Sequence, residues 1–299
     1  MLRAATEAEK RQLDVATWQA WGSGLTVEQF CERELRLRAH RWARDAMTTW
    51  LWVDQHGAVL ASCETYGVSS HVGTAPGRAW SIASVFVESA LRGQGHALQL
   101  MKALVEKLSD EPGAQAVVLF SEVGAGLYER AGFISVPAWD VCFPACRSST
   151  SIEWLLEPGA QPPPREAPNS LLISATADEV DWHLESERCY ASALGRAPLE
   201  HHGARLGGST IAWAAYHRTK ELHVLWLDAV DPAHRTPLIS AARHAAFRIG
   251  LERVRIWETT SLAGLLDAER TPRDEALPMF APFTPGLTRW SDIHRAVWV

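Results

Sequence analysis

The amino-acid sequence predicts an α/β (α+β) chain with a mixed central sheet and a second half that repeats the first in degenerate form. The main observation is a β-branched and aromatic run, 84–87, followed by a glycine-rich turn at 92–97 and by an amphipathic helix. The run 116–121 is almost wholly apolar, as in a strand that is buried on both faces. The order strand, helix, strand recurs after residue 209, which indicates a degenerate duplication.

The N-terminal region predicts one short strand and two helices. Residues 2–5 can form the strand, and Thr6 with Glu9 makes a capping box that begins the first helix. The same signal at Thr26 predicts a second helix over 26–44. Four arginines lie off the apolar face of this helix and are expected in solvent, namely Arg33, Arg36, Arg38 and Arg41.

The rest of the first half alternates strands with helices. Helices are predicted after the glycine turn, over 98–108, and over 126–130. Strands are predicted over 48–54, 59–68, 80–88 and 116–121, and two more that could complete the same sheet over 133–136 and 140–145.

A polar and proline-rich stretch, 148–170, divides the chain into a first domain, 1–147, and a second, 171–299. The second domain repeats the strand and helix order, with predicted elements over 178–194, 209–216, 221–229, 237–250 and 254–258. Where a glycine turn would fall, it has the glycine-free run 231–237 with Pro237 at the start of a helix. We therefore expect no second cofactor site.

Composition and charge narrow the class of protein. The chain has 299 residues and a formal net charge of −6, which argues against general binding to nucleic acid or to anionic membranes. No stretch approaches the roughly 20 apolar residues that a membrane span needs. The N-terminus has no signal-peptide core, so a cytoplasmic location is expected. A monomer or homodimer is expected as well. The five cysteines are scattered, which favours reduced thiols and no metal site.

The glycine turn predicts a bound phosphorylated cofactor. A turn that opens a helix can direct several backbone N–H groups at one anion, and the helix dipole favours negative charge there. Gly93 and Gly95 have no Cβ, so a phosphate can approach the backbone closely. The turn lacks the third glycine of a dinucleotide fingerprint and the Gly-Lys-Ser/Thr ending of a phosphate-binding loop.

Two motifs resemble those of the GNAT acyltransferase superfamily. Motif A, Gln/Arg-x-x-Gly-x-Gly/Ala, matches Arg92, Gly95 and Ala97, and motif B, which ends in Tyr-x-x-x-Gly-Phe, matches 126–133. The run 119–129 and the repeated second half are most similar to the fungal lysine N6-acetyltransferase family, with the strongest likeness from about 80 to 135. This resemblance implies transfer of acetyl from acetyl-CoA, a co-substrate, to the side-chain amine of free lysine or a lysine-like small amine.

The resemblance also implies roles for individual residues. In this view 1–147 is the catalytic domain that binds acetyl-CoA, and 171–299 shapes the acceptor site. The backbone of 85–87 would pair with the pantetheine arm, and one of its N–H groups would polarise the thioester carbonyl. Ser121 stands where the superfamily often has an asparagine that contacts that arm. The predicted cofactor-binding residues are Val85, Phe86, Val87, Arg92, Gly93, Gln94, Gly95, His96, Ala97, Ser121 and Tyr128.

Acetyl transfer to an amine needs an acid for the departing thiolate and a base for the ammonium. Tyr128 is the predicted acid, because a phenol is still protonated at neutral pH. Four carboxylates are candidates for the base: Glu64, Glu88, Glu122 and the α-carboxylate of Val299, in an apolar terminal run that alternates like a strand.

The acceptor stays open at this stage. We expect acidic groups to recognise its amine and a cation to recognise a carboxylate, and His201, His202 and His223 could line the pocket. The alternatives are acetylation of another amine, such as a polyamine, an antibiotic or a protein lysine, and a non-catalytic acyl-CoA-binding protein with a regulatory role.

Overall fold

The computed structural model describes residues 1–148, 151–163, 168–259, 262–264 and 268–299, and within them the chain forms two sheets flanked by helices. The helices are α1 (Glu7–Trp21), α2 (Val27–Ala39), α3 (Arg41–Ala46), α4 (His96–Ser109), α5 (Gly126–Glu129), α6 (Ala177–Ala193) and α7 (Arg235–Arg248), with 3-10 turns at Ser89–Leu91, Pro232–His234 and Arg295–Val297. The strands are β1 (Leu2–Ala4), β2 (Met47–Val53), β3 (Val59–Val72), β4 (Ala75–Phe86), β5 (Ala114–Ser121), β6 (Ile134–Ser135), β7 (Trp139–Pro144), β8 (Glu153–Leu155), β9 (Ser170–Ile173), β10 (Gly203–Leu206), β11 (Ser209–Tyr216), β12 (Glu221–Asp228), β13 (Arg253–Trp257), β14 (Arg270–Pro272), β15 (Leu277–Pro282) and β16 (Arg289–Trp290).

The first sheet has the order β1-β2-β3-β4-β5-β15-β6, with β9 and β16 continuing from the far end of β3. Strands β4 and β5 are parallel, and α4 is the crossover between them. The apolar face of α4 is buried against this sheet, through Leu100, Met101, Leu104 and Leu108. Strand β5 is buried on both faces, as its apolar run predicts.

The second sheet has the order β14-β7-β13-β12-β11-β10-β8 and repeats this design. Strands β12 and β13 are parallel, and α7 connects them as α4 connects β4 to β5. Alanines on the buried face of α7 allow close packing on the sheet. The predicted fold class, a mixed central sheet with a degenerate second half of the same type, is confirmed.

The two sheets exchange strands across the predicted domain boundary. Strand β7 was expected to complete the first sheet, but it lies beside β13 in the second. Its place is taken by β15, which inserts between β5 and β6. The pattern of a strand indicates which faces are buried and not which neighbour it pairs with, so the sequence could not predict the exchange. The division at 147 and 171 stays a prediction about domains.

Two further expectations are wrong in detail. The helix predicted over 26–44 is interrupted at His40, whose extended backbone ends α2 and whose Nδ1 accepts from the Trp42 N–H to begin α3. The terminal run forms the 3-10 turn Arg295–Val297 and no strand. No helix among the described residues is long and apolar enough to cross a membrane.

Candidate active site

The cleft of the first sheet begins where β4 and β5 diverge. Their pairing ends at Ile82 opposite Leu119, although β4 continues to Phe86. At the same point the register of β4 against β3 shifts, and Ser84 takes a positive φ of 53°. This bulge turns β4 away from β5, so its last residues have no partner on the β5 side.

The glycine turn lies at the open end of this cleft. Gly93 and Gly95 have φ values of 79° and 84°, in the left-handed region that favours glycine. Both face open space, and the N-terminus of the 14-residue helix α4 has no side-chain cap. The side chain of Arg92 is held aside, because its Nε donates to the Val87 carbonyl at 3.1 Å. Uncapped N–H groups beside two exposed glycines fit the phosphates of acetyl-CoA.

A cavity of about 710 Å³ runs from this turn to the second half of the chain. Helices α1 and α2, strands β3 and β4, helix α6, strand β11 and the C-terminal residues form its walls. Nine of the predicted site residues line it: Glu64, Val85, Phe86, Val87, Arg92, Ala97, Glu122, Tyr128 and Val299.

The other predicted residues lie outside this lining. Gly93, Gln94, Gly95 and His96 form the turn at the mouth of the cleft. Ser121 is fully buried, donates to the Gly124 carbonyl at 2.6 Å and accepts from the Val123 N–H at 3.2 Å, so its hydroxyl shapes its own loop.

Tyr128 is positioned by the short helix α5 and packs edge-on against Phe133. Its ring is buried, and burial, together with the nearby Cys63 and Glu122, raises the pKa of its hydroxyl to about 12. It lines the cavity, and in the described part of the chain its hydroxyl has no hydrogen-bond partner. A protonated phenol with an unused donor is therefore directed at the cleft.

Glu64 is the predicted base with the most suitable environment. Burial is the main cause that raises its pKa to about 7, and the charge of Glu34 adds to the effect. Ser84 Oγ donates to its carboxylate at 3.0 Å and the Tyr66 hydroxyl at 3.3 Å. The β4 bulge thus opens the cleft and also orients Glu64, because both depend on Ser84.

The remaining carboxylates differ in position. Glu88 is exposed outside the cavity, at the residue before the 3-10 turn Ser89–Leu91, and its side chain makes no capping hydrogen bond there. Glu122 is exposed at the cavity wall, and Val299 lines the cavity half-buried beside Leu37 and Trp182.

The sequence did not indicate the charged residues of α1 and α2 that line the cavity. Arg38 pairs with Asp14 through two hydrogen bonds of 2.8 and 2.5 Å, and both side chains are about nine-tenths buried. Arg33 pairs with Glu34 and donates to Ser186 Oγ at 2.8 Å. The expectation of solvated Arg33 and Arg38 is wrong because α6 and the N-terminal helices enclose them. No local signal could have indicated this long-range packing.

The second half of the chain contributes side chains to the cavity lining, but they are not the predicted histidines. His201, His202 and His223 do not line the cavity; His223 is buried, stacks on Tyr216 and pairs with Glu221 at 3.1 Å. Those that do line it are Trp182, His183, Ser186, Glu187, Tyr190, the segment 214–218, Arg295 and Trp298. The periodicity of α6 could have indicated its buried face, but not the cavity it adjoins.

Comparison with known proteins finds a family match in each half of the chain. Residues 12–133 match the acetyltransferase (GNAT) family, and residues 151–283 match the LYC1 GNAT-like C-terminal domain. No relative among the curated proteins matches the chain.

Solved structures share the fold at low identity. A GCN5-related N-acetyltransferase from Anabaena variabilis is 12% identical with a TM-score of 0.56, over 95% of this chain and 73% of that one. A probable N-acyltransferase from Enterococcus faecalis is 11% identical with a TM-score of 0.56, over 96% and 73%. A putative acetyltransferase from Pyrococcus horikoshii is 13% identical with a TM-score of 0.51, over 100% and 94%. The chain therefore contains a GNAT acetyltransferase domain at residues 12–133 and a LYC1 GNAT-like C-terminal domain at residues 151–283, and it is an N-acetyltransferase that uses acetyl-CoA.

Proposed function

We propose that the enzyme transfers the acetyl group of acetyl-CoA to the side-chain amine of free lysine or of a lysine-like small amine. The amine attacks the thioester directly, so that a C–N bond forms as the C–S bond breaks. The resemblance to lysine N6-acetyltransferases suggests the acceptor, and a cavity bordered by α1, α2 and α6 supports a small one.

Glu64 is proposed as the base. A lysine side chain has a pKa near 10.4 and arrives as an ammonium ion, so it must lose a proton before it attacks. The pKa of Glu64, about 7, leaves the carboxylate ionised at slightly alkaline pH and still able to accept that proton. Glu88 is the weaker candidate, because it is exposed outside the cavity. The proposal for the α-carboxylate of Val299 rests only on the position of that residue in the cavity wall.

Tyr128 is proposed as the acid. Its hydroxyl is protonated up to about pH 12, lies free at the cavity wall and can donate to the sulfur as the thiolate leaves. The backbone N–H groups of the turn at 92–97 are proposed to bind the pyrophosphate, and those of 85–87 to face the pantetheine arm and the thioester carbonyl.

One observation carries the proposal. A single cavity, opening on an uncapped glycine turn, is lined by a carboxyl group that ionises near neutral pH and by a tyrosine that stays protonated. These are the two proton carriers that transfer to an amine requires.

A panel of amines tests the proposed acceptor. The purified chain is incubated with acetyl-CoA and, separately, with L-lysine, spermidine, an aminoglycoside and a lysine-containing peptide, and free thiol is measured. We expect the highest kcat/KM with lysine or a close analogue, and product of the mass of an acetylated amine. Faster turnover of the polyamine, aminoglycoside or peptide would show that lysine is not the preferred acceptor.

We also propose that the protein is located in the cytoplasm and that it is a monomer or a homodimer.

A further inference from the structure

The second sheet has a cleft that corresponds to the cofactor cleft of the first. Strands β12 and β13 pair only from Glu221 opposite Arg253 to His223 opposite Arg255, although both continue beyond. The chain itself fills this gap with the C-terminal segment, defined here as residues 293–299. Ala296 packs in one cluster with Leu225 and Trp226 of β12, and Trp298 stacks on Trp257 at the end of β13.

Arg295 of the C-terminal segment is buried and lines the catalytic cavity. It is only 4% exposed. Its guanidinium lies 3.9 Å from the ring centroid of Trp298 and 4.8 Å from that of Tyr216, and its Nη1 donates to the Trp298 carbonyl at 3.1 Å. The Ala296 carbonyl contacts His183 Nε2 of α6 at 2.8 Å, so the segment is held on its other side as well.

Arg295 differs from the other arginines enclosed around this cavity in having no carboxylate partner. Arg33 pairs with Glu34 and Arg38 pairs with Asp14. Within the described ranges, Arg295 forms no ion pair, and its Nε is buried without any hydrogen-bond partner. An arginine remains protonated even when it is buried, and a buried charge without a counterion is costly. An anion in the cavity would relieve this cost.

Arg295 also shares its cavity with the proposed base and acid. Glu64, Glu122, Tyr128 and Arg295 all belong to the lining of this one cavity. An acceptor with its amine near Glu64 and Tyr128 therefore occupies the same cavity that Arg295 lines.

We propose that Arg295 binds the carboxylate of the acceptor and so selects amino acids over simple amines. The inference rests on the proposed function, and it assigns the carboxylate-binding residue to the segment that fills the second cleft. The planar guanidinium matches a carboxylate through two parallel hydrogen bonds, while the stacked aromatic rings keep it in place.

Lysine and cadaverine test the site, because cadaverine is lysine without its carboxylate. Their kcat/KM values are compared in the wild type, in Arg295→Met, in Arg295→Lys and in the control Arg248→Gln, whose side chain is exposed and does not line the cavity. The methionine keeps much of the apolar stem without the charge. Circular dichroism, thermal unfolding and acetyl-CoA binding show whether each variant is folded.

The wild type is expected to prefer lysine over cadaverine by about 100-fold in kcat/KM. In Arg295→Met the KM for lysine should rise about 30- to 300-fold, with kcat and the cadaverine values changed less than about threefold. Arg295→Lys should recover part of the preference, because it keeps the charge but not the bidentate fork. Equal use of both amines by the wild type, or an equal loss for both in a folded Arg295 variant, would overturn the proposal.

Calorimetric binding of the two amines, without acetyl-CoA, separates this proposal from the proposed function. Lysine binding that depends on Arg295, without thiol release, would support the site and overturn the reaction. Thiol release with both amines at equal kcat/KM would support the proposed reaction and overturn the proposed carboxylate site. If Arg295→Met does not fold, the lysine-to-cadaverine ratio in Arg295→Lys decides, and an unchanged ratio contradicts the proposal.

Discussion

Glu64 illustrates how burial can adapt an ordinary carboxyl group to proton transfer near neutral pH. Its pKa rises from 4.5 to about 7 because desolvation disfavours the charged form, and Glu34 adds like-charge repulsion. The hydrogen bonds from Ser84 and Tyr66 oppose this effect, so the pKa reflects a balance in which burial dominates.

The pH dependence of the reaction tests the role of Glu64. As a base it must be ionised, so kcat/KM should fall tenfold per pH unit below about pH 7. Glu64→Gln should lower kcat by about 100- to 1,000-fold at pH 8, and kcat/KM of this variant should no longer fall below pH 7. Rate profiles from pH 5 to 9 give the measurement. Glu88→Gln is the matched variant, and a larger loss there than in Glu64→Gln would transfer the role to Glu88.

Tyr128 gives a second prediction at this scale. Tyr128→Phe keeps the ring that packs on Phe133 and removes only the proposed proton donor. We expect kcat to fall about 100-fold while the KM for acetyl-CoA changes less than about threefold, because the hydroxyl acts on the leaving thiolate. Steady-state kinetics at several acetyl-CoA concentrations measure both constants, and an unchanged kcat would exclude the acid role.

Motif spacing could predict Tyr128 and the glycine turn because both are local patterns of a few residues. It could not predict Arg295 or the pair of Arg38 with Asp14. These side chains are enclosed only when segments far apart in sequence pack together, so their immediate neighbours in the chain carry no signal of it.

At the scale of elements, the glycine turn and α4 form one unit, which we propose binds the pyrophosphate of acetyl-CoA. Gly95 holds the position before α4 with a φ of 84°, a conformation that costs an L-residue about 1–2 kcal/mol. The side chain of Gln94 is not expected to bind the anion, because its Nε2 already donates to the Ala90 carbonyl.

Two variants of this turn should therefore differ. Gly95→Ala should raise the KM for acetyl-CoA about tenfold, because the strained turn shifts the N–H groups that bind phosphate. Gln94→Ala should change it less than about threefold. Binding of CoA measured by calorimetry compares the two. A small loss of CoA affinity in Gly95→Ala together with a large loss in Gln94→Ala would mean that side chains, and not backbone N–H groups, bind the phosphates.

The helices and most strands follow from periodicity and capping signals, and the structure confirms their order. Thr6 and Thr26 form the predicted capping boxes, and the structure adds a third one at Thr176 that was not predicted. The exchanged positions of β7 and β15 do not follow from such signals, because strand pairing is a long-range choice among edges of similar pattern.

For the molecule as a whole, strand exchange couples the two sheets. Strand β15 covers the apolar edge of β5, and β9 extends β3, so the first sheet is incomplete without residues beyond 168. In return, the second sheet depends on β7.

A fragment of residues 1–148 should consequently fail to fold. It would expose β5, whose eight residues are nearly all buried in the full chain, as a free apolar edge, which is an aggregation hazard. We expect insoluble fragment and, for the full chain, a single cooperative unfolding transition by calorimetry. A soluble fragment that binds acetyl-CoA with the affinity of the full chain would show that the exchange is dispensable.

The site of acetylation on lysine tests the central claim most directly. The wild-type chain is incubated with acetyl-CoA and L-lysine, thiol release is recorded, and the product is identified by fragmentation mass spectrometry against Nε- and Nα-acetyl-lysine. The account predicts Nε-acetyl-lysine in amounts equal to the released thiol. Product acetylated at Nα, or no thiol release from a chain that binds acetyl-CoA, would contradict it.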